Sequence, residues 1–195
     1  MFLKSQPALV LASTSPYRRE LLARLRLPFT TAAPQVEEIH LADESPLELA
    51  ARLARAKARS ASAQRPGAWI IGSDQVAVRG DAILGKPGSH ARCIEQLHAS
   101  SGRTVLFLTA VAVVRDEAAH EFVDTTRVAF RSLDNGTIAR YVEAEAPLDC
   151  AGGFKSEGLG AALCDSIETT DPTALIGLPL LRLAAVLRSV GYRVP

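Results

Sequence analysis

The sequence is poor in the residues that mark secreted, membrane-bound or nucleic-acid-binding proteins. Of its 195 residues only 3 are cysteine (Cys93, Cys150 and Cys164), an odd number without metal-ligand spacing. The thiols therefore read as reduced, which points to a cytoplasmic protein. Aromatic residues make up 5% of the chain, too few for a surface on which single-stranded bases stack. Charge of either sign is not in excess: 22 Lys and Arg face 21 Asp and Glu, a formal net charge of +1. No overall field draws the chain to a nucleic-acid polymer, so a phosphate ligand has to be held by a local cluster. No apolar run reaches the length of about 20 residues that spans a membrane. The stretch Met1 to Val10 has one lysine and Pro7, and it lacks the long apolar segment and cleavage site of a secretory signal. The four histidines are scattered, and none is placed with a cysteine or serine as a nucleophilic triad requires.

What is present is an ordinary globular composition, 48% hydrophobic. It suits one domain over residues 1–195 with a sizeable core. Ala8–Ala12 reads as a strand apolar on both faces, hence central in a sheet covered by helices. It runs into Ser13-Thr14-Ser15-Pro16, where Ser15 is a helix N-cap and Pro16 suits the first helical position. That helix extends to about Leu25, and Phe29–Ala33 follows as a strand. Ser45-Pro46-Leu47-Glu48 opens a helix to about Ala63 with a capping box, its buried stripe read as Leu49, Leu53 and Ala56. Trp69–Val78 is a strand, turning at Arg79-Gly80-Asp81 into Ile83-Leu84. Ser89–Ser100 is a helix. Val105–Arg115 and Glu121–Arg131 form a hairpin with a polar turn over Asp116–His120. Asp134 caps a helix to Val142, a glycine-punctuated stretch covers Leu148–Gly158, and Ala161–Glu168 contains another strand. Asp171-Pro172 turns the chain, and Leu180–Val190 is a final amphipathic helix. The expected fold class is α/β, with a mixed, elongated, twisted sheet flanked by helices and two lobes around a central cleft.

Two places carry chemistry. The first is Asp74, which interrupts the apolar run Trp69-Ile70-Ile71-Gly72-Ser73-Asp74-Gln75-Val76. Desolvating a carboxylate costs several kcal/mol by order of magnitude, so a metal ion, a lysine or a polar cleft has to compensate it. A structural Asp paired with an arginine satisfies the same requirement. Gly72 lets a backbone or a ligand approach closely. The second place is the junction at Ser13–Arg19. Helix N-termini favour anions, and Arg18 and Arg19 stand at the end the dipole makes unfavourable for cations. A bound phosphate explains them, as would pairing with Glu20 or Glu44. Glu37 and Glu38 lie in a polar loop as possible metal ligands. Lys57 sits on the second helix, and Lys86 is displayed by Gly85-Lys86-Pro87 across the hairpin from Asp74. The glycine-punctuated stretch is not a phosphate-binding Walker loop, although it is suited to line a pocket. Cations for phosphates, carboxylates for a divalent metal and one carboxylate placed to activate water together fit phosphoanhydride hydrolysis.

In order along the chain, Ser13-Thr14-Ser15-Pro16-Tyr17-Arg18-Arg19, Glu38, Lys57, Gly72-Ser73-Asp74-Gln75, Gly85-Lys86-Pro87 and Gly177-Leu178-Pro179 resemble the Maf-like nucleoside triphosphate pyrophosphatases. The resemblance implies an inosine triphosphatase-like domain that cleaves a nucleoside triphosphate to its monophosphate and diphosphate. It implies a divalent metal, Mg²⁺ or Mn²⁺, a cytoplasmic location and a homodimer. On it, Asp74 falls at the proton acceptor, Ser13, Ser15, Arg18, Lys57 and Lys86 at substrate positions, and Glu38 with Asp74 at the metal. Tyr17 departs from the arginine the family often has there. Together with Gln75 and Glu157 it resembles the branch acting on 7-methyl-GTP. An aromatic face attracts the cationic N7-methylguanine by about 0.5–2 kcal/mol, and Glu157 is able to accept from the guanine N1–H and N2–H₂ edge. A Tyr17 that merely packs is the plain alternative. Turnover of dTTP or UTP, or nucleotide binding that regulates septum formation without turnover, are the alternative functions.

Overall fold

The computed structural model describes residues 6–195; the reading of Met1–Val10 against a secretory signal falls partly on residues 1–5, outside the described residues. The sheet is mixed and seven-stranded: β1 (Leu9–Ala12), β2 (Thr30–Ala32), β3 (Trp69–Arg79), β4 (Ala82–Leu84), β5 (Thr104–Arg115), β6 (Ala118–Phe130) and β7 (Cys164–Glu168). The order across it is β2-β1-β3-β5-β6-β7, with β4 added to β3. β1 pairs parallel with both neighbours, β2 and β3, and the remaining pairs are antiparallel. Five α-helices flank it among the described residues: α1 (Pro16–Ala23), α2 (Pro46–Ser62), α3 (His90–Ser100), α4 (Asn135–Glu145) and α5 (Leu180–Ser189). None is long and apolar enough to cross a membrane. The α/β class and the flanked mixed sheet expected from the sequence are therefore found.

Local chemistry sets the helix starts. Ser15 Oγ accepts from the Arg18 amide with Pro16 just inside α1, and Ser45 and Glu48 close the capping box of α2. The strands alternate between two cores. Val10, Ile70, Val76, Leu108 and Ala110 face α2, whereas Leu9, Leu11, Ile71, Val111 and Val113 face α1 and α5. Phe107, Phe130 and Phe154 form a third cluster with α3 and α4.

Two local expectations change. The buried stripe of α2 is Leu49, Ala50, Leu53, Ala54, Lys57, Ala58 and Ala61, while Ala56 is only half-buried. Small alanines let the helix lie almost on the sheet, so the contact face is wider than the leucines mark. The β5–β6 turn is two residues, Asp116 and Glu117, and the ladder continues to Arg115 opposite Ala118. Asp116 adopts φ 51°, a left-handed conformation that Asp tolerates, and this permits the tighter reversal. The strand expected within Ala161–Glu168 is β7, which begins at Cys164 after a 3₁₀ turn over 159–163.

Candidate active site

One gap in the sheet positions the site. Pairing of β1 with β3 ends at Ala12 opposite Gly72, and pairing of β4 with β3 begins at Ala77 opposite Leu84. Between them Ser73–Val76 are paired only on the β5 side. Side chains from both faces of β3 therefore reach one opening, at the carboxyl end of β1 where ligands of α/β sheets collect. A cavity of about 500 Å³ occupies it.

The α1 end of the cavity gathers two hydroxyls and a guanidinium. Ser13 Oγ accepts from the Ser15 amide at 3.1 Å, and Ser15 Oγ from the Arg18 amide at 3.3 Å. The first turn of α1 carries no acidic residue. Arg18 Nε donates to the Gly177 carbonyl at 2.9 Å, which ties one edge of the guanidinium and leaves its other nitrogens for a ligand. Gly177, at φ 120°, is where a side chain would meet Arg18 Nε at 3.2 Å, so glycine permits that approach. Arg18 pairs with neither Glu20 nor Glu44. Glu20 holds Arg24 and Glu44 holds Arg52. Arg19 does not line this cavity; it lies beside Thr31 and Ala33 in a neighbouring depression that Ser13–Pro16 also border.

In the middle of the cavity stands a buried ion cluster. Lys57 and Asp74 are each 6% exposed. Lys57 Nζ lies 2.6 Å from Asp74 Oδ1 and 2.5 Å from Glu38 Oε1. The cause of this approach is Gly72. A Cβ there would stand 2.2 Å from the Ala54 carbonyl oxygen and 2.5 Å from the Ala58 nitrogen, so α2 packs its backbone directly on β3. The close approach expected at Gly72 is thus that of a backbone, and it delivers Lys57 to Asp74. Lys86, which the hairpin suggested as a cation near Asp74, lines the cavity and acts on Glu38. Burial raises the Asp74 carboxyl above its ordinary range, against the pull of Lys57 and Arg18. Partial burial opposes ionisation of Glu38 as well, but its hydrogen bond and charge interaction with Lys57, aided by Lys86 and Arg18, bring it below the ordinary value. Asp74 is accordingly the more basic carboxylate, and it lines the cavity.

The third part of the cavity surrounds Tyr17. Burial raises its phenol pKa, and Cys150 and Asp149 raise it further. Lys155 lies 6.0 Å over the ring, its charge paired with Glu145 at 3.1 Å. Glu157 is exposed at the same wall, while Gln75 enters from the opposite face of β3 to Asp74. The Gln75 amide nitrogen lies 2.9 Å from Thr109 Oγ1 and 2.9 Å from the Leu175 carbonyl.

All ten residues singled out for the site in the sequence (Ser13, Ser15, Tyr17, Arg18, Glu38, Lys57, Asp74, Gln75, Lys86 and Glu157) line this one cavity. Glu37 does not. Asp149 and Cys150 line the cavity too; neither carries a signal of its own in the sequence, although the glycine-punctuated stretch around them is suited to line a pocket. Thr109 and Leu175 gave no signal, one being a hydroxyl within an apolar strand and the other a leucine in a loop. Among the described residues no group of three or more His, Cys, Asp or Glu is placed to hold a metal ion. Two carboxylates, Glu38 and Asp74, meet at Lys57. Mg²⁺ commonly binds through one or two carboxylates, substrate phosphates and water. The donor set therefore fits an ion that arrives with a polyphosphate, and does not amount to a cage built by the protein alone.

The model of the family described as Maf-like protein matches residues 8–190. A 7-methyl-GTP pyrophosphatase of Albidiferax ferrireducens is 53% identical over 191 residues, 97% of this chain and 96% of that one. A protein of the same name from Xanthomonas oryzae pv. oryzae is 52% identical over 189 residues, covering 97% of this chain and 100% of its own. One from Alkalilimnicola ehrlichii is 54% identical over 189 residues, 96% and 95% of the two chains. The solved Ham1 protein of Staphylococcus aureus aligns with a TM-score of 0.47 and 16% identity over 63% of this chain and 71% of its own, too partial an overlap to speak for the fold. A match that runs from the first strand through the last helix, with relatives sharing half their residues along the full length, makes this chain a member of the Maf-like family.

Proposed function

We propose that the protein hydrolyses 7-methyl-GTP to 7-methyl-GMP and diphosphate, removing a modified nucleotide. The observation that carries this reading is the polarity of the cavity. Its α1 end presents the Arg18 guanidinium and the Ser13 and Ser15 hydroxyls, and Lys86 lines the same cavity, a set suited to a triphosphate. Its other wall presents the Tyr17 ring with the Asp149 and Glu157 carboxylates, and the charge of Lys155 there is taken up by Glu145. A ligand anionic at one end and cationic at the other matches both, and N7-methylation is what makes a guanine cationic. The names of the relatives support the same substrate.

In this reading Arg18, Lys86 and the Ser13–Ser15 turn hold the phosphates, and Tyr17, Gln75 and Glu157 hold the base. Asp74 takes the proton of a water as its oxygen bonds to phosphorus. The α–β phosphoanhydride bond breaks, and its electron pair leaves with the diphosphate. Lys57 keeps Asp74 ionised and oriented. Glu38 and Asp74, together with the substrate, would hold a Mg²⁺ or Mn²⁺ ion, which would supply charge neutralisation on the phosphate oxygens. The three free cysteines suit a cytoplasmic enzyme, and the family resemblance supports a homodimeric one built on a single domain. The test is product stoichiometry over 7-methyl-GTP, GTP, dTTP and UTP, each with Mg²⁺ or Mn²⁺. The reading requires one diphosphate per nucleoside monophosphate. Release of orthophosphate, or binding without turnover, would overturn it.

A further inference from the structure

Gln75 is fastened by one end of its amide. Its Nε2 lies 2.9 Å from Thr109 Oγ1, 2.9 Å from the Leu175 carbonyl and 3.1 Å from the Ala174 carbonyl. Backbone carbonyls accept and never donate, so the nitrogen and not the oxygen has to face them. Thr109 is fully buried and stands opposite Gln75 in the β3–β5 register. Its hydroxyl donates to the Ala174 carbonyl at 2.9 Å, which leaves its lone pairs to accept from Gln75. The loop bearing those carbonyls is itself tied down. Asp171, 3% exposed, accepts from the Thr173 amide at 2.9 Å and the Leu181 amide at 2.6 Å. On β6, opposite Thr109, buried Asp124 accepts from the Thr170 hydroxyl at 2.7 Å. What remains of the Gln75 amide is Oε1. It receives no hydrogen bond from any described residue and is not sealed from solvent, on a residue that lines the cavity.

The geometry points to Thr109 as a positioning residue: by holding the Ala174 carbonyl and accepting from Gln75 it keeps the Ala174 and Leu175 carbonyls where they lock Gln75 as an acceptor toward the nucleobase, so that the site selects a base with an N–H donor there. This rests on the cavity being the nucleotide site. A free glutamine amide turns over readily and serves a donor or an acceptor equally well. Here a turn would set Oε1 against two carbonyl oxygens and leave all three without a proton between them. The lock thus acts by exclusion: a base with an acceptor at that point meets an acceptor. Guanine offers N1–H and N2–H₂, and 7-methyl-ITP and 1,7-dimethyl-GTP remove these donors one at a time.

The test has two parts on the intact protein. Without substrate, the Gln75 side-chain amide protons, assigned by their absence in Gln75→Met, exchange slowly in the wild type and in Thr109→Ser, and about tenfold faster or more in Thr109→Val. With substrate, one of the two analogues loses about tenfold in kcat/KM relative to 7-methyl-GTP, the scale of one hydrogen bond. That loss falls to about two- or threefold in Thr109→Val, chiefly through KM, returns in Thr109→Ser and is absent in Gln75→Met. Gln75 protons that exchange at the solvent rate in the wild type overturn the lock whatever the substrate. Equal donor discrimination in wild type and Thr109→Val overturns the positioning role. If the amide is protected but 7-methyl-GTP is not hydrolysed, the lock stands and the substrate reading fails instead.

Discussion

Replacing Lys57 by Met removes the ammonium at the centre of the site and keeps most of the buried stem. Lys57 Nζ is 2.6 Å from Asp74. At an effective dielectric of about 20, such a pair attracts by about 6 kcal/mol before desolvation is subtracted. Removing one partner of a buried pair costs about 3–5 kcal/mol, because the other charge is left without compensation. The two carboxylates differ here. The Glu38 side chain is 50% exposed and rehydrates, whereas that of Asp74 is 9% exposed and does not. Asp74 escapes by taking a proton. Burial already raises its pKa with Lys57 pulling it down, so without Lys57 it rises further. The folded state then keeps a proton that the unfolded state has lost. Stability accordingly falls as pH rises from the unfolded value, about 4, through the folded one, and is flat above it. Denaturant unfolding of wild type, Lys57→Met, Asp74→Asn and the double variant at pH 5 and pH 8 measures this. Lys57→Met is expected to cost about 3 kcal/mol at pH 8, less at pH 5, and below about 1 kcal/mol when the Asp74→Asn change is already present. A cost equal at both pH values and undiminished in the Asp74→Asn background would refute the argument that Asp74 is the group Lys57 compensates.

Gly72→Ala places a methyl group 2.2 Å from the Ala54 carbonyl oxygen. The clash is with backbone on both sides, so the variant should lose at least about 2 kcal/mol in denaturant unfolding, along with activity as α2 carries Lys57 away from Asp74. A wild-type midpoint would show that the helix has room to shift. The rate should also fall with acid as Asp74 is protonated, with an apparent pKa above the ordinary 3.8 because burial raises it. Asp74→Asn should lower kcat by about 10²–10⁴; a variant that keeps full turnover would remove Asp74 from the base role.

How much was legible in the sequence follows the range of the interactions. Ser15 with Pro16, and Ser45 with Glu48, place helix starts through contacts three residues apart, and both were readable. The ten site residues were readable as a set because each is a polar or charged type at a turn, a strand end or an apolar run. Their pairing was not. Whether Asp74 meets Lys57 or Lys86 depends on how close α2 lies to β3, which is decided by Gly72 against Ala54 and Ala58 and leaves no periodic mark. The gap in β3 that admits Gln75 and Asp74 from opposite faces requires the strand order, a non-local property. Thr109 and Asp124 are invisible as a network for the same reason. Each is a single polar residue whose partner lies on another strand or on the loop before α5.

The central claim is a cavity matched to a nucleotide with a cationic base, and one ratio tests it most directly. The ratio is kcat/KM for 7-methyl-GTP over that for GTP, substrates that differ by one methyl group and one positive charge, with diphosphate as the readout. The Tyr17 ring and the Asp149 and Glu157 carboxylates predict a ratio of at least about ten. A ratio near one, or dTTP or UTP turned over faster than either, would contradict it.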